Sequence, residues 1–441
     1  MPLAHAIWWF DAVLSCSLVK MLAADVHNLH SLGLKQANET RETGVSAHTN
    51  LTAWTLKALA HLERRRGSPW RYGNHPDSCD FFPSWVAERR KLFAVQTQKA
   101  AAVHRLVVAL QSNHLLSSVD YEPLAFEEVD RVAGFLKGGI LSVSGMVDKH
   151  SLDRYVYTKG KLIHDMEQLG YLLSKGELPS CFWQVMQYYM TAFTNIRDRP
   201  DGQKYIWSPE SFGAIGPFYN TFLFTPDLPK LDNAINPKFE FQLAQRQYQL
   251  SSPNFVVADG LLTQETLDAL LRFTRESTIF YESKGTYYGA YIEEGFGNPI
   301  LAQVVQGLRE GFPNIIGDLP LVNQWAYKYD HNTTGIKYHA DNALVNVNLW
   351  ILPDEVNNDP SSGGMNIILK EPPEDFDVDS FNSLRDEDFS KHAHFANAPT
   401  LTVPYKQNRI VMFTSTLLHA TVIPNFKPGY KSRRINLTFL F

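Results

Sequence analysis

The sequence predicts an α+β protein, an all-α N-terminal part followed by a part built from short strands. Three observations carry that expectation. At 441 residues the chain exceeds the usual size of one hydrophobic core, so two domains are expected. Before residue 250 apolar residues alternate with charged ones in helix-like stretches, of which the longest, Ser84 to Gln111, is free of Pro and Gly. From Ser251 onward the texture changes to short runs rich in Val, Ile, Tyr and Phe separated by Gly, Pro, Asn and Asp. Short strands at that density argue for a sandwich or barrel rather than a parallel sheet. The expected divisions are residues 1–66, weakly patterned or partly helical; 67–250, a helical domain; and 251–441, the β-rich domain.

In the helical part, Ser84 to Gln111, Phe126 to Leu136, Val156 to Leu173 and Ser180 to Asn195 share the same texture. Tyr155 to Phe193 reads as a helical hairpin. Leu162, Met166, Leu169 and Leu173 fall at helical spacing, Lys175-Gly176 breaks the first helix, and Pro179 precedes the second. The hairpin resembles one degenerate tetratricopeptide unit, with no second copy at a fixed period, so ordinary helical packing competes with a peptide- or protein-binding surface. Phe239 to Leu250 is expected as the last helix of this part, and Gln264 to Arg275, capped by Thr263, as the one helix after it.

The expected strands are Phe255 to Val257, Thr286 to Tyr291, Asn323 to Tyr329, Ile336 to Asp341, Ala343 to Ile351, Met365 to Leu369, Leu401 to Val403, Arg409 to Phe413, Ala420 to Ile423 and Arg434 to Phe441. Alternation assigns faces. Val345, Val347, Leu349 and Ile351 share one side, and Asn346, Asn348 and Trp350 share the other, which is expected to line a pocket.

Composition narrows the function classes. A formal net charge of −5 gives no electrostatic reason to expect a nucleic acid or an anionic membrane as partner. Cys16, Cys79 and Cys181 lie far apart with no C-x-x-C pair, so neither a zinc site nor a disulfide framework is expected, and a reducing compartment fits better than an oxidising one. The apolar run from Ile7 to Met21 is interrupted by Asp11 and Lys20, so a cytoplasmic location is expected over a secretory one. The sequons at Asn38, Asn50, Asn332 and Asn436 would matter only after secretion.

The chemistry gathers around three side chains. His339 and Asp341 are two apart, so on an extended strand both leave the same face, and His419 follows a hydrophobic strand. Two imidazoles and a carboxylate on one side of a metal describe the facial triad of non-haem Fe(II) oxygenases. A lone His on a strand is more often hydrogen-bonded structure than a ligand, and the chain holds 15 of them; the joint order of these three with a later Arg lifts the metal reading. In the last strand Arg434, Asn436 and Thr438 share a face opposite Ile435, Leu437, Phe439 and Phe441. A guanidinium there suits the distal carboxylate of a dicarboxylic acid whose other end chelates iron.

The order of H-x-D, the Gly363-Gly364-Met365-Asn366 strand, the Asn408-Arg409-Ile410-Val411-Met412-Phe413 strand, a distal His and a trailing Arg resembles the Fe(II)- and 2-oxoglutarate-dependent dioxygenases over about residues 251 to 441. The resemblance implies a double-stranded β-helix, a jelly-roll domain, with the metal in its mouth. It implies His339, Asp341 and His419 as ligands of Fe(II), and Arg434, Asn436, Tyr327 and Tyr329 around 2-oxoglutarate, with O₂ as the oxidant. The implied reaction hydroxylates a protein side chain or small metabolite and releases succinate and CO₂; the alternative is a non-catalytic scaffold whose barrel binds metal or 2-oxoglutarate without turnover. Two departures stand out. Arg433 adjoins Arg434, and strand phase alone selects the latter. The long interval between Asp341 and His419 holds an acidic stretch, Glu371 to Asp388, read either as a solvated loop or as a lid, whose charge speaks against a nucleic-acid substrate. Phe413, Leu349, Trp350 and Trp325 are candidates for a dry wall, and Tyr287, Tyr288, Tyr291 and Glu293 for substrate contact.

Overall fold

A computed structural model describes residues 79, 82–87, 156–207, 214–382 and 394–441. The expected segment 1–66, the helix expected over Phe126 to Leu136 and most of the one over Ser84 to Gln111 lie outside these residues.

Strand β1 (Val156–Thr158) leads into α1 (Lys159–Ser174), α2 (Trp183–Ile196) follows, and β2 (Lys204–Ile206) returns to pair antiparallel with β1. A short two-stranded antiparallel pair accompanies the helices among the described residues of this part. Tyr157 stacks on Trp207 with ring centroids 3.8 Å apart, and the helix starts only where Thr158 Oγ1 accepts the Lys161 N–H at 3.0 Å. Leu162, Leu169 and Leu172 of α1 meet Val185, Tyr189 and Ile196 of α2 in a core closed by Phe182, Trp207 and Phe218. Among the described residues no second helical pair stacks on this one, so the tetratricopeptide resemblance is not supported. Two of the cysteines, both reduced, meet in space. Cys181 N–H donates to Cys79 Sγ at 3.1 Å across 102 residues of sequence, and burial beside that thiol pushes Cys181 up to about 12.

Helix α3 (Phe241–Leu250) leads to β3 (Phe255–Asp259), α4 (Gln264–Glu276), β4 (Glu282–Ser283), β5 (Tyr287–Tyr291), α5 (Pro299–Gly311), β6 (Asn323–Tyr329), β7 (Val345–Trp350), β8 (Met365–Ile368), α6 (Val378–Asn382), β9 (Thr400–Val403), β10 (Arg409–Thr414), β11 (His419–Thr421) and β12 (Ile435–Leu440). The strands form a seven-stranded sheet in the order β3-β10-β7-β12-β6-β5-β4 and a three-stranded sheet in the order β11-β8-β9. Every pairing is antiparallel, which matches a jelly-roll core rather than a parallel α/β sheet.

Helix α5 adds to the one helix expected in this part. Its signals are present in the sequence: Asn298 caps the Leu301 N–H at 2.9 Å, Pro299 occupies the first turn, and Ile300, Leu301, Val304, Val305 and Leu308 recur at helical spacing. Leu270 and Phe273 of α4 and Leu301, Val304 and Leu308 of α5 are buried in one core with Val345, Val347 and Leu349 of β7. Each such side chain contributes about 1.5–3 kcal/mol through removal from water. Leu349 therefore faces the helices and not the cavity, which corrects its place in the expected dry wall. The opposite face of β7 presents Asn346, Asn348 and Trp350 to the interior between the sheets. At Gly364, just before β8, a Cβ would stand 1.9 Å from the Val403 carbonyl oxygen, so only glycine lets β8 and β9 approach.

The expected strand over Ile336 to Asp341 is absent. The chain there is irregular and makes a single antiparallel bridge, His339 to His419, with reciprocal backbone bonds of 3.0 and 2.9 Å. Among the described residues no helix is long and apolar enough to cross a membrane.

Candidate metal centre

His339, Asp341 and His419 converge, with one ligand atom from each lying within 4.8 Å of the others. The bridge between His339 and His419 achieves what a strand was expected to do, placing the two rings 4.2 Å apart. Hydrogen bonds then fix which nitrogen is available. His339 Nδ1 lies 2.8 Å from the Lys337 carbonyl and His419 Nδ1 lies 3.0 Å from the Leu417 carbonyl. A carbonyl oxygen can only accept, so both Nδ1 atoms carry the proton and both Nε2 lone pairs are left for a metal. Burial, with the neighbouring His419, lowers His339 to about 4, so its imidazole is neutral and ready to ligate at neutral pH.

Asp341 is held just as firmly. Its N–H donates to the Ser415 carbonyl at 3.2 Å, and Ser415 Oγ donates back to the Asp341 carbonyl at 2.9 Å. Burial alone would raise its carboxyl, but His419, His339 and Asn346 together hold it below the usual carboxylate range. Asn346 Nδ2 donates to Asp341 Oδ2 at 2.7 Å, Asn348 Nδ2 to Asn346 Oδ1 at 2.7 Å, and Asn436 Nδ2 and Thr438 Oγ1 to Asn348 Oδ1 at 2.8 and 3.1 Å. An amide ladder thus runs from the carboxylate across β7 to β12. On the outer side Asn382 receives the Ala340 N–H at 3.0 Å and donates to the Ala340 carbonyl at 2.8 Å, bracing the residue between the two ligands. This brace is legible only once Asn382 is brought within reach across 42 residues.

Arg434 is linked to this centre through Tyr329 and β11. It is 2% exposed, Nε donates to the Gly363 carbonyl at 2.6 Å, the guanidinium sits 4.5 Å above the Tyr329 ring, and Nη1 is buried without an acceptor. Tyr329 in turn meets Thr421 Oγ1 at 3.3 Å, and Thr421 is two residues along β11 from His419. Trp350, 5.9 Å from the Arg434 guanidinium carbon, also has a buried indole N–H without an acceptor. Two unpaired donors, one of them cationic, suit a carboxylate. Arg433 points the other way, into ion pairs with Glu167 and Asp330.

Of the remaining expected residues, Asn436 joins the amide ladder and keeps a buried Oδ1 without a donor. Tyr327 shares a 2.8 Å hydrogen bond with Tyr291, and Tyr287, Tyr291 and Trp325 surround it with centroids 5.0–6.1 Å apart. Phe413 packs edge-on against His419 at 4.9 Å. Tyr288 does not face this cavity: strand phase turns it to the far side of β5, where its hydroxyl donates to Asp330 at 2.6 Å. The side chain of Glu293 and residues 383–388 of the acidic stretch lie outside the described part. The described part of that stretch packs Phe376 and Phe381 with Phe395 against Ala340 and Leu418, beside the ligands.

No family model matches the chain, and no curated protein does. Solved structures that are similar include the non-heme alpha ketoglutarate dependent carbocyclase SnoK from nogalamycin biosynthesis, at 11% identity over 48% of this chain and 87% of that one, with a TM-score of 0.33. Another is a prolyl-4-hydroxylase from Pseudomonas putida, at 15% identity over 46% and 98%, with a TM-score of 0.31. A third is HygX from Streptomyces hygroscopicus, solved with nickel, 2-oxoglutarate and hygromycin B bound, at 10% identity over 44% and 85%, with a TM-score of 0.32. At such distances the chemistry of this chain has to be judged from its own residues.

Proposed function

We propose that the chain is an Fe(II)- and 2-oxoglutarate-dependent oxygenase that hydroxylates an unactivated C–H of a protein side chain or small metabolite. The observation that carries the reading is the pair of histidines whose Nδ1 protons are fixed on carbonyls, so that two Nε2 lone pairs and the Asp341 carboxylate converge. Two neutral nitrogens and one carboxylate suit a first-row divalent metal and leave ligand positions for other molecules. When bound, Fe(II) with 2-oxoglutarate and O₂ supplies the oxidising power, with succinate and CO₂ as co-products.

The chain's own residues then have separate tasks. His339, Asp341 and His419 would hold the metal, and Asn346 keeps the Asp341 carboxylate oriented through its 2.7 Å hydrogen bond. Arg434 Nη1 and Trp350 Nε1, both lacking acceptors, would take the distal carboxylate of the dicarboxylic acid. Phe413 and the Tyr287, Tyr291, Tyr327 and Trp325 wall limit water around the substrate. The acidic residues Glu371, Glu374, Asp375 and Asp377 flank Phe376, which packs against the cluster holding Ala340 and Leu418, and their charge favours a protein or small-molecule substrate over a nucleic acid.

The test is anaerobic titration of the purified full chain with Fe(II) and 2-oxoglutarate, then admission of O₂ and measurement of succinate. Binding of both followed by slow succinate release, with both lost in His339→Ala, supports the oxygenase. A chain that takes up metal and 2-oxoglutarate but releases no succinate, even with a panel of peptides and amino acids, would be a binding protein.

A further inference from the structure

The helical pair α1/α2 meets the barrel through a buried, charged seam, and the seam ends on the residue next to Arg434. Arg433 is 3% exposed and spans three elements. Its Nε and Nη2 donate to Glu167 Oε2 of α1 at 2.9 and 2.8 Å, and its Nη1 pairs with Asp330 Oδ1 and reaches the Tyr329 carbonyl at 3.4 Å. Burial works against the Arg433 charge, and Asp330, Tyr288 and Glu167 outweigh it. Asp330 is itself fixed from the far side by the Tyr288 hydroxyl at 2.6 Å. Helix α1 seats directly on this pair: at Gly160 a Cβ would lie 2.5 Å from both Asp330 Oδ2 and Tyr288 Oη, so the first turn of α1 has no room for a side chain there. Further along α1, Lys161 Nζ pairs with Asp165 at 2.6 Å, and His164 Nδ1 with the same carboxylate at 2.8 Å, all buried against the barrel.

The other end of the clamp is the cavity. Tyr329 N–H donates to the Arg434 carbonyl at 3.0 Å, while the Tyr329 carbonyl faces the Arg433 guanidinium and the Tyr329 ring lies under the Arg434 guanidinium. The two successive arginines therefore grip Tyr329 from opposite sides of the sheet. A shift of Asp330 or Arg433 displaces both the ring and the backbone from which Arg434 projects.

We propose that Glu167, Arg433 and Asp330 form a positioning clamp that sets the placement of Arg434 and Tyr329, and hence the affinity for the dicarboxylate co-substrate, so that α1 is a working part of the co-substrate site rather than a separable scaffold. None of the three touches the co-substrate; they act through Tyr329 and Arg434. The proposal rests on the oxygenase reading.

The experiment measures 2-oxoglutarate affinity by anaerobic calorimetry on the full chain loaded with Mn(II), alongside Mn(II) affinity without 2-oxoglutarate, for Glu167→Gln, Arg433→Gln and Arg433→Lys. Loss of one charge-assisted contact should weaken 2-oxoglutarate about three- to tenfold in Glu167→Gln, and more in Arg433→Gln. Arg433→Lys, which keeps the charge on Asp330 but loses the fork, should fall between Arg433→Gln and the parent. Mn(II) affinity should stay within about twofold of the parent, since the ligands are braced separately. Unchanged 2-oxoglutarate affinity in Glu167→Gln, which removes least from the fold, overturns the clamp. So does a parallel loss of Mn(II) and 2-oxoglutarate binding, which would mark general loosening. A parent that binds Mn(II) but no 2-oxoglutarate overturns the oxygenase reading itself, and the clamp's assigned role with it.

Discussion

Replacing Arg434 by methionine separates the cost of folding from the gain of binding. In the free protein the guanidinium is 2% exposed with Nη1 unpaired, and its one hydrogen bond runs from Nε to the Gly363 carbonyl at 2.6 Å. Methionine keeps an apolar stem against the Tyr329 ring, removes a buried charge and forfeits that bond, a net change of about 1 kcal/mol. With 2-oxoglutarate bound, the loss is one or more charge-assisted hydrogen bonds at about 1.5–3 kcal/mol each, a weakening of roughly ten- to 150-fold per bond. Denaturant unfolding of the Mn(II) form with and without 2-oxoglutarate reads both quantities. At a concentration of 100 times the parent's Kd the ligand stabilises the parent by about 2.7 kcal/mol, whereas a 100-fold weaker variant gains only about 0.4 kcal/mol. Equal stabilisation of parent and Arg434→Met would refute the assignment of this arginine to the dicarboxylate.

Asn346→Leu removes the 2.7 Å hydrogen bond to Asp341 while keeping the branching of the side chain, and metal affinity should fall about 10- to 100-fold with the fold retained; unchanged affinity in a metal titration would show that Asp341 needs no orienting partner. His164 is held well below its usual range by burial and by nearby Lys328, against the opposing pull of Asp165. Its unfolded form therefore binds a proton first, so stability is full above about pH 6.5 and declines as pH falls below it, by at most about 1.4 kcal/mol per pH unit from this group. Urea unfolding at a series of pH values should show that slope flattened in His164→Asn, and an identical slope would remove His164 as its source. Burial beside Cys79 keeps the Cys181 thiol protonated, so glutathione disulfide at neutral pH should leave Cys181 unmodified; peptide mapping that finds Cys181 glutathionylated or paired with Cys79 would refute that shielding.

Strand phase made much of the cavity legible. The alternation of Asn346, Asn348 and Trp350 against Val345, Val347 and Leu349 places the amide ladder and the helix-facing core on opposite sides of β7, where the structure has them. The same logic separates Arg434 from Arg433; applied to β5 it would have removed Tyr288 from the expected substrate contacts, where it stood beside Tyr287 and Tyr291. It placed His339 and Asp341 on one face for the wrong reason, because that segment is irregular and a single backbone bridge to His419 aligns the ligands. Asn298-Pro299 and the apolar spacing behind them announced α5, but texture read over the whole β-rich part hid a helix lying between strands. What no local pattern carries is contact between distant segments. Glu167 and Arg433 are 266 residues apart, and nothing in either neighbourhood marks them as partners.

The interior of the barrel also bears on whether the site works or merely survives. Asp341, Asn346, Asn348, Asn436 and Thr438 occupy positions that aliphatic side chains could fill, and Arg434, Asn436 and Trp350 each leave a buried polar atom unpaired there. Every such atom costs about 1–3 kcal/mol, and the ladder, satisfied from Asp341 to Asn348, is left unsatisfied at Asn436 Oδ1, its end on β12. A barrel serving only to hold the helical pair would gain stability by replacing those residues, since its hold on α1 runs through Arg433, Asp330 and Tyr288 on the other face of the sheet. The two faces therefore differ: the outer one secures α1, and the inner one leaves the Arg434 and Trp350 donors and the Asn436 Oδ1 acceptor unpaired. A bound carboxylate would satisfy the Arg434 and Trp350 donors, and a hydroxyl or amide donor would satisfy Asn436 Oδ1, so the pattern of unpaired atoms fits the oxygenase proposed above better than a barrel without a ligand.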